Sequence, residues 1–287
     1  PYHKITEINN CHIFENPYVL PVGFCVQDDI DQVDMQTDNV FDIQNQISKT
    51  FDSNLPDIYE KTEPDYIKIS NLKENDIGGI TEYSKINGEE DAYIEYTFEI
   101  KEKKGLYLYF NAPNLQSAEL FVNDFSRENY FTNTNWNVVY AGMYNPRDTV
   151  TVRLKCLQDT ISITNALFYY ENKEILKLWY ENSDSKNIEI TKNSSSHLTG
   201  SVDIPEGKEN LVFSIPCEKG WNVKIDGRET ECYEVLGALM SVKVSPGKHT
   251  IEMRYIPEGF FPAIWVSLLA FAMLMFFIIN DKMKCNN

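Results

Sequence analysis

Two tryptophans in this sequence have neighbours that suit the binding of a sugar. Trp136 lies in an Asn-rich stretch between Asn135 and Asn137, and Trp221 follows the glycine of a predicted turn. An indole ring offers a large flat apolar face on which a pyranose ring can stack, and asparagine amides both donate and accept hydrogen bonds. These four residues are the candidate carbohydrate-binding residues. The alternative for each tryptophan is a structural role, in a turn or in the core of a strand.

Other patterns that carry chemistry are weaker. Asp28, Asp29, Asp31 and Asp34 suggest calcium, but they lack the glycine and the ligand spacing of an EF-hand, so a solvated acidic loop is the better interpretation. The four histidines are scattered without metal-ligand spacing, and His249 is expected to be exposed near the start of a strand. No Ser-His-Asp set, P-loop or GxGxxG run occurs. No catalytic residue, metal ligand or cofactor site is assigned.

Two of the six cysteines form a candidate pair. Cys217 and Cys232 flank a predicted hairpin, which can bring their side chains within bridging distance. A disulfide between them is one interpretation, and two separate, partly buried thiols are the other.

The overall charge excludes one class of partner. The formal net charge is −17 at pH 7, and clusters of Lys and Arg that neutralise phosphates are absent, so nucleic acid is not an expected partner. The same charge opposes adsorption to an anionic membrane surface. A hydrophobic content of 43% is enough for a sizeable core, and the length suggests one or two globular domains in addition to an anchor.

The uncharged apolar run Phe260–Ile279 predicts a transmembrane helix. As a helix it extends about 30 Å, the hydrocarbon thickness of a bilayer; a buried core helix is the alternative. Lys282 and Lys284 follow the run, whereas residues 256–259 carry no Lys or Arg, and positive charge favours the cytoplasmic side. We therefore expect the tail 281–287 in the cytoplasm and the bulk of the chain outside. That orientation requires a segment for export, so we expect a longer membrane protein with at least one span upstream.

Alternation of apolar and polar residues predicts two runs of β-strands. Tyr93–Ile100 and Leu106–Phe110 are separated by a glycine-bearing turn and are expected to form a hairpin. Asp226-Gly227 is expected to form a type I′ turn. The other strands of the first run are predicted at Ala118–Val122, Trp136–Tyr140, Val150–Leu154 and Asn165–Tyr170. Those of the second run are predicted at Ile188–Thr191, His197–Ile204, Leu211–Ile215, Trp221–Ile225, Glu229–Val235, Leu239–Val244 and Thr250–Tyr255.

Two short helices are also predicted. Apolar residues recur at three- and four-residue steps from Asn39 to Phe51, and Asp38 or Asn39 can cap that helix. Between Glu171 and Ser183 the apolar residues, Trp179 among them, share one helical face.

The predicted fold is mainly β: a jelly-roll-like β-sandwich plus a small immunoglobulin-like β-sandwich, two short helices and a C-terminal transmembrane helix. The predicted order along the chain is an extended N-terminal segment with a short helix (1–59), the jelly-roll-like sandwich (60–170), a linking helix (171–184), the immunoglobulin-like sandwich (185–257), the transmembrane helix (258–280) and the cytoplasmic tail (281–287).

Three stretches of this sequence resemble the C-terminal region of the YfhO family of bacterial polytopic membrane proteins. They follow one another in the order found in that family. Gly220 and Trp221 match the family pattern, whereas Cys217 and Glu218 depart from it, since the family usually has Tyr followed by Asp or Asn there. The stretches are ENPYVLPVGF at Glu15–Phe24, SIPCEKGWNVKIDGR at Ser214–Arg228 and SPGKHTIE at Ser245–Glu252.

The resemblance implies a membrane glycosyltransferase of the GT-C type, which transfers a sugar from a lipid-phosphate carrier to a cell-envelope polymer such as lipoteichoic acid. Enzymes of that type hold their catalytic carboxylates in early extracytoplasmic loops, so this chain is expected to be an accessory, non-catalytic extracytoplasmic domain in the bacterial plasma membrane. Its expected partners are the lipid bilayer around residues 260–279, an upstream transmembrane part of the same protein, and a glycopolymer or lipid-linked sugar. The alternative is a non-catalytic, membrane-anchored envelope- or carbohydrate-binding module.

Overall fold

The computed structural model describes residues 3–9, 11–16, 18–112, 117–130, 138–182 and 188–285. In this part of the chain most regular structure is β. The helices are α1 (Val40–Phe51), α2 (Lys173–Asn182) and α3 (Phe260–Cys285). The strands are β1 (His3–Ile8), β2 (Cys11–Glu15), β3 (Gly23–Val26), β4 (Tyr59–Thr62), β5 (Tyr66–Ser70), β6 (Leu72–Ile77), β7 (Ile80–Lys85), β8 (Ala92–Glu99), β9 (Gly105–Asn111), β10 (Ala118–Val122), β11 (Phe125–Asn129), β12 (Val139–Met143), β13 (Thr149–Cys156), β14 (Thr160–Ile163), β15 (Asn165–Glu171), β16 (Ile188–Ser194), β17 (His197–Ile204), β18 (Asn210–Pro216), β19 (Trp221–Ile225), β20 (Arg228–Thr230), β21 (Tyr233–Val235), β22 (Leu239–Lys243) and β23 (Gly247–Tyr255).

The chain forms two compact units. We call Gln32–Asn182 the central unit, and Pro1–Asp31 together with Ser183–Asn287 the terminal unit. Each unit has its own sheets and its own hydrophobic core.

The central unit is a β-sandwich. A five-stranded sheet of order β11-β10-β13-β8-β5 and a four-stranded sheet of order β12-β9-β15-β4 enclose one core, and β14-β7-β6 form a third sheet. In β8 the alternate residues Ile94, Tyr96 and Phe98 are buried, as the period of two predicts. Phe98 meets Phe168 of the four-stranded sheet at a ring-centroid distance of 4.9 Å, so the two sheets share aromatic packing.

The predicted hairpin between Tyr93–Ile100 and Leu106–Phe110 is wrong. Both runs are strands, but β8 pairs with β13 and β5, whereas β9 pairs with β12 and β15 in the other sheet. Their apolar sides face the same core. Alternation identifies the buried side of a strand and not its hydrogen-bonded partner, so two consecutive strands on opposite sheets give the pattern of a hairpin.

Helix α1 covers the outer face of the four-stranded sheet. Asn39 caps it, since the Asn39 side chain accepts hydrogen bonds from the backbone N–H groups of Phe41 and Asp42. Phe41 is fully buried and stacks on Tyr169 of β15, with ring centroids 4.3 Å apart. The predicted second helix is observed as α2, and Trp179 of α2 donates from Nε1 to the Ser48 carbonyl of α1 at 3.1 Å.

The terminal unit is a smaller β-sandwich that includes β3. Its sheets have the orders β16-β17-β23-β19-β20 and β21-β22-β18-β3, and residues of both sheets form one core. The sequence predicts an extended segment with a short helix over residues 1–59, but Gly23–Val26 is a buried strand. It pairs antiparallel with β18 from Gly23↔Phe213 to Val26↔Asn210. Four consecutive buried residues show no alternation, so the sequence pattern does not identify this strand.

The hairpin β19–β20 has the predicted turn. Asp226 and Gly227 have φ values of 51° and 78°, in the left-handed region that a type I′ turn requires. The single strand predicted at Glu229–Val235 is wrong, because β20 pairs with β19 whereas β21 pairs with β22 in the other sheet. The chain crosses between the sheets at Glu231 and Cys232.

Helix α3 has the length and composition of a membrane span. The stretch Phe260–Asn280 has a mean hydropathy of 2.4, and none of its most apolar window is buried against the described protein. The alternative of a buried core helix is therefore excluded for the described chain. Only residues 256–259 separate the end of β23 at Tyr255 from the start of α3.

Candidate functional site

Trp221 lines a cleft at one end of the terminal-unit sandwich. We call it the Trp221 cleft, and its volume is about 440 Å³. The start of β19, the end of β20 and the turn after β18 supply its walls. The lining residues are Cys217, Glu218, Lys219, Trp221, Asn222, Val223, Glu229, Thr230, Glu231 and Cys232.

Trp221 is held by both the core and the cleft wall. Its indole is half-buried, packs against the core of the terminal unit and lies 5.0 Å from the ring of Tyr255. Tyr255 donates its hydroxyl hydrogen to Glu218 Oε2 at 2.7 Å. This hydrogen bond raises the pKa of Tyr255, so its hydroxyl stays protonated. Trp221 therefore has the structural role considered for it and also an orientation fixed beside the cleft.

Gly220 allows the chain to pass close to Tyr255. A Cβ atom at position 220 would lie 2.5 Å from Tyr255 Cε2 and 2.8 Å from the Ile256 carbonyl oxygen. The Ile256 N–H donates to the Gly220 carbonyl at 2.9 Å. The turn before Trp221 is thus joined to the segment that leads into α3, and only glycine fits there.

Cys217 and Cys232 are both free thiols that line this cleft. The disulfide considered for them is absent from the structure. Burial raises the pKa of Cys217, and it raises the pKa of Cys232 to about 11. A thiol with a raised pKa holds little of the nucleophilic thiolate, so neither cysteine is prepared for nucleophilic catalysis.

The charges of the Trp221 cleft are mainly negative. Glu218, Glu229 and Glu231 line it, and Lys219 is the one basic residue among the described residues of its lining. Asn222 donates from its side chain to Glu229 Oε1 at 3.3 Å. Carboxylates and an amide beside an indole can bind sugar hydroxyls, whereas a phosphate would meet like charge.

A second cleft, of about 460 Å³, lies on the central unit where α1 meets the four-stranded sheet. Asn39 Nδ2 donates to Tyr169 Oη and to Asp42 Oδ2, both at 2.7 Å. Burial raises the pKa of Tyr59 to about 12, with a contribution from Glu171, so this phenol stays neutral. The residues that line the cleft are Thr37, Asp38, Asn39, Asp42, Asn45, Asp57, Tyr59, Glu60, Lys61, Asn165, Leu167 and Tyr169.

Sequence reasoning did not identify this second cleft. Its residues come from three separated stretches of sequence, and only the packing of α1 on β4 and β15 brings them together. The sole indication in the sequence is the polar side of α1, where Asn39, Asp42 and Asn45 recur at three-residue steps.

His249 is not exposed, contrary to the sequence expectation. Its side chain is 15% exposed and lies at the end of the sheet opposite to Trp221, beside the β19–β20 turn. Nδ1 is 2.7 Å from Asp226 Oδ2, and Nε2 is 2.9 Å from the Ser245 carbonyl oxygen. Both ring nitrogens have partners within the protein, which indicates a structural clamp.

The remaining candidates from the sequence do not form a site in the described residues. Trp136, Asn135 and Asn137 lie outside those residues. The acidic run begins with the 3₁₀ turn Asp28–Gln32, where Asp28 Oδ1 accepts a hydrogen bond from Asn210 Nδ2 at 2.8 Å. Across the described ranges, no three His, Cys, Asp or Glu side chains are grouped closely enough to hold a metal ion.

Comparison with solved structures gives partial superpositions. A cycloisomaltooligosaccharide glucanotransferase of Paenibacillus sp., complexed with cycloisomaltoheptaose, matches 72% of this chain and 50% of its own at 8% identity and a TM-score of 0.29. A β-(1,4)-mannanase of Podospora anserina matches 41% of this chain and 28% of its own at 11% identity, also with a TM-score of 0.29. TM-scores of this size do not establish a common fold.

Sequence comparison is more specific. "Uncharacterized protein YfhO" of Bacillus subtilis (strain 168) is 26% identical over 123 residues, which are 43% of this chain and 14% of that relative. The sequence profile of the family described as "Bacterial membrane protein YfhO" matches residues 1–267. That match covers both β-sandwiches and continues into α3. The chain belongs to the YfhO family of bacterial membrane proteins.

Proposed function

We propose that this chain is the accessory extracytoplasmic part of a polytopic membrane glycosyltransferase. The enzyme takes a sugar from a lipid-phosphate carrier and adds it to a cell-envelope polymer such as lipoteichoic acid. Its catalytic carboxylates lie in loops upstream of residue 1, and the chain itself binds and orients sugar near the membrane.

The observation that carries this proposal is the family match over residues 1–267, which ends inside α3. The segment aligned to the Bacillus subtilis relative is only 14% of that protein, so a family member has ample further chain for additional spans and loops. In this proposal the two sandwiches lie outside the cell, and residues 282–285 lie in the cytoplasm.

The two clefts support a role in sugar binding. The Trp221 cleft combines an indole face with Asn222 and three glutamates. The cleft of the central unit combines Tyr59 and Tyr169 with asparagines and carboxylates. Aromatic faces and planar hydrogen-bonding groups together match the two kinds of surface that a sugar ring presents.

The experiment is complementation in a bacterium that lacks its own family member. Lipoteichoic acid is extracted from three strains, which carry the full-length protein, residues 1–287 with an export signal, or no insert, and its bound sugar is quantified by mass spectrometry. We expect sugar only with the full-length protein. Sugar transfer by residues 1–287 alone, or a polymer unchanged by the full-length protein, contradicts the proposal.

A second candidate is an envelope-binding module whose parent protein transfers no sugar. The same clefts favour it, because they need no chemistry to hold a glycopolymer. The complementation strains separate the two candidates. A full-length protein that retains lipoteichoic acid on affinity beads but leaves its sugar content unchanged in cells is a binding module.

A further inference from the structure

We infer that the Trp221 cleft binds the uncharged sugar headgroup of a membrane lipid. The inference rests on the proposed function and names the ligand class of one of its sites. It follows from the position of the cleft relative to α3, from the charges of its walls and from the aromatic residues near it.

The register of the five-stranded sheet places the cleft at the end from which the chain enters the membrane. Trp221, the first residue of β19, pairs with Tyr255, the last residue of β23. Thr230, the last residue of β20, pairs with Val223 two positions into β19. Because neighbouring strands are antiparallel, the start of β19 and the ends of β20 and β23 lie at the same end of the sheet. From this end the chain continues into α3.

The linker is too short to separate the cleft from the bilayer surface. Residues 256–259 connect Tyr255 to Phe260, and a fully extended chain of that length reaches no more than about 18 Å. The linker is shorter than that limit, because the Phe260 N–H donates to the Pro257 carbonyl at 3.1 Å and Gly259 has a φ of 80°. The headgroup layer on each side of a bilayer is roughly 5–8 Å deep. The cleft is therefore within reach of lipid headgroups.

Aromatic residues lie where α3 begins, at the expected membrane–water interface. Phe260, Phe261 and Trp265 lie in the first turns of α3 and are exposed on its surface. Tryptophan is enriched at membrane–water interfaces, where its ring lies among the headgroups. The start of α3 thus lies at the interface, and the Trp221 cleft lies just above it.

The charges of the cleft select among headgroups. Three glutamates and one lysine line it, so the phosphate of an anionic lipid meets net repulsion. A sugar headgroup carries no charge, presents an apolar ring face to Trp221, and offers hydroxyls to Asn222 and the carboxylates. A lipid-borne sugar also stays at the height of the cleft, whereas a soluble sugar gains nothing from the nearby membrane.

Labelling of the cleft thiols tests the inference. The whole chain, with Cys11→Ser and Cys285→Ser, is placed in phosphatidylcholine nanodiscs that contain glucosyl diacylglycerol, phosphatidylglycerol or neither lipid. The rate at which maleimide modifies Cys217 and Cys232 is then measured. We expect glucosyl diacylglycerol to slow labelling roughly fivefold once its concentration is about four times its dissociation constant.

Variants at the two ends of hairpin β19–β20 serve as a matched set. Trp221→Ala and Asn222→Ala should each weaken lipid binding, by roughly tenfold for the tryptophan, as expected for an aromatic contact worth about 1.4 kcal/mol. Arg228→Ala, at the opposite end of the hairpin, should leave protection unchanged. Because Trp221→Ala also removes packing, the milder Asn222→Ala, at an exposed position, tests the same cleft in a folded protein.

Three results overturn the inference: equal labelling in all discs, equal protection by phosphatidylglycerol, or equal protection by soluble methyl glucoside. Sugar transfer in the complementation strains is scored separately. Absent transfer with intact lipid protection removes the proposed enzyme and keeps the lipid site. Intact transfer without lipid protection removes the lipid site alone.

Discussion

Asp226, in the turn that joins β19 and β20, accepts a hydrogen bond from Nδ1 of His249 in β23 at 2.7 Å. The other carboxylate oxygen accepts from the backbone N–H of Thr250 at 2.8 Å and from its hydroxyl at 3.1 Å. These hydrogen bonds lower the pKa of Asp226 from 3.8 to about 2. The bond from the Thr250 backbone contributes most, and the bond from His249 is second. One side chain thus connects the turn to the start of β23.

This pKa predicts a specific dependence of stability on pH. Because the pKa is lower in the folded state, the carboxylate stabilises the fold fully above about pH 4, and this contribution is lost as the pH falls towards 2. In Asp226→Asn the contribution is absent at every pH. We expect the free energies of unfolding of wild type and variant, measured with urea, to converge between about pH 4 and pH 2. Parallel curves across that interval would show that Asp226 is not the group responsible.

Gly220→Ala should destabilise the terminal unit. The new Cβ would lie 2.8 Å from the backbone oxygen of Ile256, which cannot turn aside as a side chain can. Overpacking of this kind costs about 1–3 kcal/mol, measurable as a lower urea midpoint. Gly88→Ala is the control, since a Cβ at Gly88 has no neighbour within 4 Å. Equal midpoints for the two variants would contradict the close approach at Gly220.

Phe41→Ala should destabilise the central unit. Phe41 is fully buried between α1 and the four-stranded sheet, and truncation of a buried phenylalanine costs about 3–5 kcal/mol. Ile86→Ala provides the comparison, because Ile86 is 72% exposed and its loss should change the free energy by less than about 0.5 kcal/mol. Calorimetry of both variants checks the prediction, and a Phe41 variant as stable as wild type refutes the packing of α1.

The proposed orientation in the membrane predicts which cysteines are accessible. A membrane-impermeant maleimide added to intact cells should modify exposed Cys11 and leave Cys285 unmodified until the cells are permeabilised. Variants that keep only one of these two cysteines, in a background without Cys217 and Cys232, separate the two signals. The reverse pattern would place both sandwiches in the cytoplasm and remove the extracytoplasmic assignment.

Patterns with a fixed period were informative in the sequence. The strands predicted at Ala118–Val122, His197–Ile204 and Trp221–Ile225 are observed with those bounds. Helix α1 begins after Asn39, one of the two residues predicted as its cap, and α3 begins at Phe260, the first residue of the apolar run. In each of these elements local residue spacing determines which side is buried, so no distant contact needs to be known.

Features that depend on distant partners were not predictable. Strand β3 is recognisable only through its pairing with β18, and the crossing at Glu231 and Cys232 depends on which sheet each flanking strand joins. The exposure of His249 depended on Asp226, a residue far from it in sequence. Trp221 was predictable as a candidate binding residue from the sequence. The position of its cleft near the start of α3 was not, because it follows from the register of β19 with β23.

The pairing of β3 with β18 makes the central unit an insertion within the terminal sandwich. In sequence, residues 32–182 are inserted between β3 and β18, which are neighbouring strands of one sheet. The ribosome therefore makes β3 first, and its partner β18 follows only after the whole central unit has been synthesised. Within the described part of the chain, removal of the central unit would remove no strand pair from the terminal sandwich. The membrane-attached sandwich can therefore serve as a host into which evolution, or an engineer, exchanges one guest domain for another.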